Sequence, residues 1–388
     1  MNYKQALSDL NLVYPDGISK GFPLWTQDGL EIQNKTTEEL LQLFKQDFQI
    51  KINYTAKVKV LEEYTKRYKN RIQKYDNTFP IFEIDGDWQV LVTDSLPYNL
   101  EKLEKENLKF LLTYYSVIRL LDSKQVPMEK DYYISPLLQM NLVIEQKTQQ
   151  EAINYVLNKI NKFFIRINIP VVILEYEGVE GYSSKVYMIG ALNHKNEIQT
   201  ILQCSLLSKE LLKDFGLSEE MQNKMIFDIG YSQKLFAYLA DNNLDKYGMR
   251  LPSVYKQKDI AVIYRDDIKG ILLKELLENE QMSKNVIYSC ELGRKKLKKI
   301  KNELVKKGVR TILVHQINNE EEWFDIYSIE KEKIKVQSIE DIKRIVLESS
   351  SKLDKYYYEP KNQRLEDIRQ KGFGYVSEFK QKGKVVLI

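Results

Sequence analysis

The stretch Asp228–Pro252, DIGYSQKLFAYLADNNLDKYGMRLP, decides how the chain divides. Gly230 reads as a turn residue, and SQKLFAYLADNN after it reads as a helix. The connector DKYGMRLPSVYKQ (245–257) carries Gly and Pro and marks a change of pattern. Upstream, TQQEAINYVLNKINKFFIRI (148–167) has the spacing of an amphipathic helix. PVVILEYEG (170–178), KVYMIGAL (185–192) and EIQTILQCS (197–205) read as strands. TTEELLQLFKQDF (36–48) predicts a helix capped at Thr36 or Thr37. ENLKFLLTYYSVIRLL fits either helix or strand, its Tyr, Val and Ile favouring strand toward the end. Downstream, DIAVIYR, NVIYSCE, RTILVHQ and WFDIYSI alternate with IKGILLKELLEN, GRKKLKKIKNELVKKG and SIEDIKRIVLESS. Strand and helix alternating at short spacing predict a small α/β domain with a mostly parallel sheet. The expected division is 1–250, then 258–350, then a basic and aromatic extension over 351–388 with no structure assigned.

Composition excludes several classes. The chain has 388 residues, 43% hydrophobic and 29% charged, with a formal net charge of +4. That balance gives material for more than one core and permits, without requiring, nucleic-acid binding. Cys204 and Cys290 lie far apart and form no CxxC pair, which argues for a reducing compartment and against a zinc site. Only His194 and His315 exist, so no metal site is expected and a histidine-based triad has few candidates. Cys204 reads as a small buried residue and His194, in NHKNE, as an exposed one. The N-terminus lacks an apolar core of the signal-peptide kind, and no window approaches twenty apolar residues. A cytoplasmic protein with no membrane contact is the expectation.

The order of these pieces resembles a class II aminoacyl-tRNA synthetase, nearest to the archaeal/eukaryotic type of prolyl-tRNA synthetase, over roughly residues 10 to 350. YPDGISKGFPLWTQDGLEIQNKTTEELLQLF is similar to that family's opening and first long helix. DFQIKINY resembles the end of motif 1, with Tyr54 where proline is expected. WQVLVTDSLP resembles the strand leading to LRPTSE; Thr93, Asp94 and Ser95 fall near it, without its arginine and glutamate. SVIRLLDSKQVPMEKDYYISPLLQ resembles motif 2: Arg119 matches its first arginine, Lys130 stands for the second, and Leu121, Tyr133 and Leu138 stand for glutamates. The opening stretch resembles motif 3, with Gly230 kept and Lys234 in place of the arginine. Residues 258–346 are similar to the anticodon-binding domain. The fold implied is α+β: an antiparallel sheet domain with helices, then an α/β domain.

The resemblance implies adenylate chemistry, with ATP and Mg²⁺ as cofactors. Charge building on the α-phosphate must be met by preorganised cations. Arginine is planar and binds phosphate bidentately, whereas lysine is a point charge, so Lys234 is not a conservative replacement. Each missing preorganised contact costs on the order of 10²–10³ in rate. The preferred reading is therefore a catalytically degenerate paralogue, homodimeric, acting as a tRNA-like nucleic-acid-binding or accessory subunit. Two alternatives stay open. One is a divergent ATP-dependent amino-acid-activating ligase whose nucleotide contacts are Arg119, Lys130, Lys234 and Gly230. The other is a regulatory partner subunit that binds neither ATP nor RNA. Arg119 also reads as a salt-bridged residue at a strand end, and Lys130 as a solvated loop lysine.

The segment 293–301, GRKKLKKIK, carries the nucleic-acid expectation. Leu297, Ile300 and Leu304 fall on one helical face and should meet the sheet. Arg294, Lys295, Lys298, Lys299 and Lys301 then crowd the outer face, which is either merely solvated or a phosphate contact. Trp323, Phe324 and Tyr327 are placed to stack bases, although their alternation assigns at least two of them to the core. Tyr356, Tyr357 and Tyr358 lie among lysines and read either way.

Overall fold

The computed structural model describes residues 3–14, 24–54, 58–60, 81–91, 95–114, 136–145, 148–246, 248–255, 260–264, 285–288, 294–317, 322–328, 331–334, 339–376 and 382–388. The first elements are α1 (Tyr3–Asp9), α2 (Gln27–Gln42), β1 (Lys51–Tyr54), β2 (Val58–Val60), β3 (Ile81–Ile84), β4 (Asp87–Leu91), α3 (Leu96–Lys105), β5 (Phe110–Tyr114) and β6 (Pro136–Ile144). There follow α4 (Gln149–Arg166), β7 (Val172–Glu177), β8 (Ser183–Leu192), β9 (Ile198–Leu207), α5 (Lys209–Asp214), α6 (Glu219–Gln222), β10 (Met225–Ser232) and α7 (Lys234–Asn242). Beyond the connector lie β11 (Ile260–Tyr264), β12 (Asn285–Tyr288), α8 (Arg294–Lys306), β13 (Thr311–Ile317), β14 (Glu322–Tyr327), β15 (Lys331–Ile334), α9 (Ile339–Lys371), β16 (Phe373–Tyr375) and β17 (Lys382–Val385).

Among the described residues the main sheet has nine strands in the order β1-β5-β6-β10-β9-β8-β7-β17-β16. Only β1 with β5 is parallel; every other pairing in it is antiparallel. Side chains along a strand alternate between faces, and the sequence uses that period. Phe227, Ile229 and Tyr231 of β10, with Leu138, Met140 and Leu142 of β6, enter one large core with α2, α4 and α7. Helix α4 starts at a capping box made by Thr148 and Glu151 and buries Val156, Leu157, Ile160, Phe163 and Phe164 against this face. Each such side chain contributes roughly 1.5–3 kcal/mol by leaving water.

The structure departs from the sequence expectations in several places. Helix α2 begins at Gln27, with Thr26 as its N-cap accepting from the Gly29 N–H. Thr36 and Thr37 are interior residues whose hydroxyls bond back to the carbonyls of Ile32 and Gln33, as threonine does when no cap position is offered. Each hydroxyl's proton is thus used, so the phenols of Tyr255 and Tyr231 donate to them, at 2.9 and 3.0 Å. Burial pushes both phenols up in pKa. Gly230 lies inside β10 and not at a turn. Residues 110–114 are strand, which resolves the ambiguity there. The second sheet, β12-β11-β13-β14-β15, is parallel in two pairings and antiparallel in two. Residues 318–321 alone separate β13 from β14, too short for the crossover that a parallel pair needs.

The C-terminal residues have defined structure. Helix α9 runs without a break from Ile339 to Lys371, Pro360 inside it, and so passes through residue 350. Its first part packs Ile342, Ile345 and Val346 on the second sheet. Its last part packs Leu365 on the main sheet, which β17 extends by pairing with β7. Arg310 fastens the crossing. It is 1% exposed, and its guanidinium donates to the Ser350 carbonyl (2.7 Å), the Ser350 hydroxyl (2.9 Å), the Leu251 carbonyl and the Asp354 carboxylate (2.8 Å). Asp354 in turn accepts from the Ser253 hydroxyl at 2.5 Å. Removing one partner of such a buried pair leaves the others unsatisfied. Arg310→Met is expected to cost about 3 kcal/mol, read as a lower urea midpoint at unchanged slope.

Candidate functional site

The opposite face of the main sheet carries polar residues where a core would carry apolar ones. Register places Asp228 of β10 beside Asn141 of β6 and Ser205 of β9, and Gly230 beside Gln139 and Gln203. Asn141, Ser205, Gln139 and Asp228 are all buried, so each polar atom needs a partner. The bonds run in one direction. Thr113 donates to the Asn99 amide oxygen (2.8 Å), Asn99 donates to that of Asn141 (2.7 Å), and Asn141 donates to Asp228 Oδ1 (2.9 Å). Ser95 donates to the Gln139 amide oxygen (2.6 Å), and Gln139 donates to the same Oδ1 (2.6 Å). The Tyr182 hydroxyl donates to Oδ2. A carboxylate oxygen accepts, so it turns each amide NH₂ inward and each amide oxygen outward. Asp228 is the sink of the cascade.

Helix α3 closes one side of this layer through Leu96, Leu100 and Leu103, packed with Tyr182, Leu207 and Ile226. Gly230 leaves the layer open beside Gln139; a Cβ there would come within 3.1 Å of the Leu138 carbonyl. Lys234 opens α7 two residues after β10 ends, its backbone N–H donating to the Ser232 hydroxyl (3.2 Å). Its side chain is 0% exposed, and its ammonium lies 5.9 Å from the Tyr238 ring centre. Gly230 lies in β10 and Lys234 opens α7, on either side of the strand–helix junction. Arg119 and Lys130, with Thr93, Asp94, Leu121 and Tyr133, lie outside the described residues. Leu138 is in the hydrophobic core on the far face. Asp228, Gln139, Asn141, Asn99 and Tyr182 escaped the sequence reading. For Gln139 and Asn141 the signal was there in PLLQMNLVI, where they interrupt an apolar strand at period two.

The basic helix forms as expected, with Leu304 buried and Leu297 and Ile300 packed beside it. Lys298 and Lys299 are exposed, while Arg294 and Lys295 lie in α8 with side chains outside the described set. Lys301 folds back: its ammonium lies 3.5 Å from the Tyr327 ring centre. Phe324 is a core residue, and the Trp323 indole N–H donates to Asp325 (3.3 Å).

The described donors do not fit a magnesium-bound triphosphate. Around Asp228 they are amides and hydroxyls on one carboxylate that already accepts three bonds, and the buried Lys234 ammonium lies 5.9 Å from the Tyr238 ring centre. The buried guanidiniums of Arg250 and Arg310 are held elsewhere, on Ser328, Leu251 and Ser350 carbonyls and on Asp245 and Asp354. Among the described residues no group of three or more His, Cys, Asp or Glu is placed to hold a metal ion, and no helix is long and apolar enough to cross a membrane. His194 is exposed. Cys204 is fully buried, and burial, then the charge of Asp228, pushes its thiol well above the ordinary range. A thiol held protonated is a poor nucleophile.

No family model matches the chain, and no curated protein matches it significantly. Among solved structures it is similar to a prolyl-tRNA synthetase from Cryptosporidium parvum, solved in complex with halofuginone and AMPPNP. The TM-score is 0.73 at 14% identity, over 93% of this chain and 78% of that one. At that identity the likeness shows the fold: this chain has the α+β architecture of a class II synthetase.

Two outcomes follow from the polar layer. Asp228→Ala leaves three buried donors facing nothing and is expected to cost about 3 kcal/mol in chemical denaturation. In a Cys290→Ser background, Cys204 is expected to resist iodoacetamide at pH 8.5 until urea unfolds the chain, read by mass spectrometry.

Proposed function

We propose that this chain is a catalytically degenerate relative of prolyl-tRNA synthetase that no longer forms an adenylate and serves as a nucleic-acid-binding or accessory protein. The carrying observation is the Asp228 carboxylate, which already accepts three hydrogen bonds. Three neutral side chains meet it, on the face where the family resemblance expects paired arginines and glutamates. Acidic groups that assist magnesium must have oxygens to give, and here Gln139 and Asn141 occupy Oδ1 while Tyr182 takes one position on Oδ2. The related synthetase was solved with an ATP analogue; in this reading the present chain keeps that protein's frame without its nucleotide grip. The reading takes residues 1–250 as the degenerate core, 258–350 as the anticodon-domain-like part, and a cytoplasmic homodimer as the working form.

Nucleic acid is assigned to the outer face of α8, where the exposed Lys298 and Lys299 lie on the helix that also carries Arg294, Lys295 and Lys301. Lysines neutralising phosphates release counterions, so binding there falls steeply with salt. ATP–pyrophosphate exchange across the amino acids is expected to be nil, and ATP with Mg²⁺ is expected not to raise Tm. Exchange with any amino acid rejects degeneracy in favour of the ligase built on Arg119, Lys130 and Lys234. Transfer RNA binding is expected to weaken with salt. Reversing Lys295, Lys298 and Lys299 to Glu should flatten the slope of log K against log salt by about 2–3. An unchanged slope rejects the α8 face. Light scattering after gel filtration checks the dimer.

A further inference from the structure

The C-terminal hairpin presents an unusual outer face. Pairing sets Phe373 opposite Lys384, Gly374 opposite Gly383, and Tyr375 opposite Lys382. The inward positions are the two glycines, and close approach demands them. A Cβ on Gly383 would come within 2.6 Å of the Tyr176 ring, and one on Gly374 within 3.2–3.3 Å of Ile368, Ile198 and Leu174. The hairpin therefore lies flat on the Leu174 and Tyr176 layer with no side chain of these pairs turned in. Both aromatic rings are left outside: Phe373 is 43% exposed and Tyr375 is 52% exposed. Lys382 and Lys384 are exposed with them. The Lys382 ammonium stands 4.4 Å from the Phe373 ring centre and 5.6 Å from that of Tyr375.

The outermost strand is β16, which carries Phe373 and Tyr375, while Lys382 and Lys384 lie one strand in, on β17; lysines near a sheet edge are an ordinary guard against edge pairing. Phe and Tyr beside them work against that guard, because they add apolar surface to the edge. Cation and ring together make the chemistry of a base-stacking platform, in which rings take base faces and ammonium groups take phosphates. Two residues apart on a strand, the rings are spaced by roughly 6.7 Å, about twice the 3.4 Å step of a stacked strand. Bases in a duplex are stacked on each other and offer no face, so the arrangement selects single strands. Charge agrees. Residues 351–388 hold nine basic and five acidic residues, a balance of +4 equal to that of the whole chain. The acid in register with Lys384 is Glu175, and Lys185 already holds it at 2.7 Å.

We propose that Phe373, Tyr375, Lys382 and Lys384 form a second nucleic-acid site, a stacking platform for unpaired nucleotides, distinct from the α8 face. A base slides over each ring, and Lys382 moves from the ring faces to the adjoining phosphate.

Fluorescence anisotropy of labelled 12-mer oligo(U), oligo(dT) and a 12-base-pair RNA duplex with the full chain tests it. Single strands should bind, and Phe373→Ala with Tyr375→Ala should weaken them by about tenfold per ring while changing duplex binding less than twofold. Both rings are outside, so Tm should hold. Phe373→Trp with Tyr375→Trp should restore single-strand affinity. Comparing oligo(U) with oligo(dT) tells RNA from DNA as the natural strand. Equal affinity of the wild type and the double alanine variant for single strands overturns the platform. So does a double alanine variant whose only change is a lost concentration-dependent self-association in sedimentation, which marks the edge as a contact between copies. The α8 reversal separates this site from the earlier reading. If it abolishes binding to every probe and the hairpin variant does nothing, the platform falls and the α8 assignment stands. If only the hairpin variant loses single strands, the platform stands without α8.

Discussion

A charge placed in the middle of a sheet must be surrounded by donors, and Asp228 imposes that rule on its neighbours. Register fixes Asn141 and Ser205 at its sides, and the carboxylate fixes which way the neighbouring amides turn. From there the demand spreads outward to Asn99, Thr113, Ser95 and Tyr182, which lie on α3, β5 and the segments beside α3 and β8. One buried side chain therefore coordinates the packing of several elements that the hydrophobic pattern alone would leave free to shift. A group satisfied by neutral donors is positioned and screened, and a ligand gains little by competing for it.

Much of the fold was legible because it rests on periodicity. Leu297, Ile300 and Leu304 predicted the buried side of α8, and the apolar runs over 170–205 predicted three consecutive strands. What failed did so where a residue type has two uses. Thr36 and Thr37 looked like caps because threonine caps helices, yet buried phenols gave their hydroxyls another partner. Gly230 looked like a turn because glycine makes turns, yet it lies in a strand beside a neighbour's carbonyl. The parallel sheet was overestimated because alternation of strand and helix does not count the short link after β13. The polar layer was missed for a different reason. Gln139, Asn141 and Asp228 are neighbours only through register between strands far apart in sequence. Arg119 and Lys130 lie outside the described residues, as do the side chains of Arg294 and Lys295.

The chain shares its fold with a prolyl-tRNA synthetase at 14% identity; hydrophobic alternation and strand order specify such a frame, and the polar residues on it are free to differ. A frame of this kind accommodates many functions, and its surface then carries the specific information. In this chain the charged and aromatic residues that stand out lie on α8 and at the C-terminal hairpin, on two different sheets.

The route of α9 bears on how the protein is made. The main sheet begins with β1 near residue 51 and is finished by β16 and β17, after the whole second sheet has been synthesised. On the ribosome, Leu174, Tyr176 and Met188 must wait, uncovered, for roughly 200 residues of later chain. At 5–20 residues per second that is an interval on the order of ten to forty seconds, in which this patch is open to chaperones or to a neighbouring nascent chain. Late closure of an early-made sheet makes β16 and β17 a seal on β7 and β8.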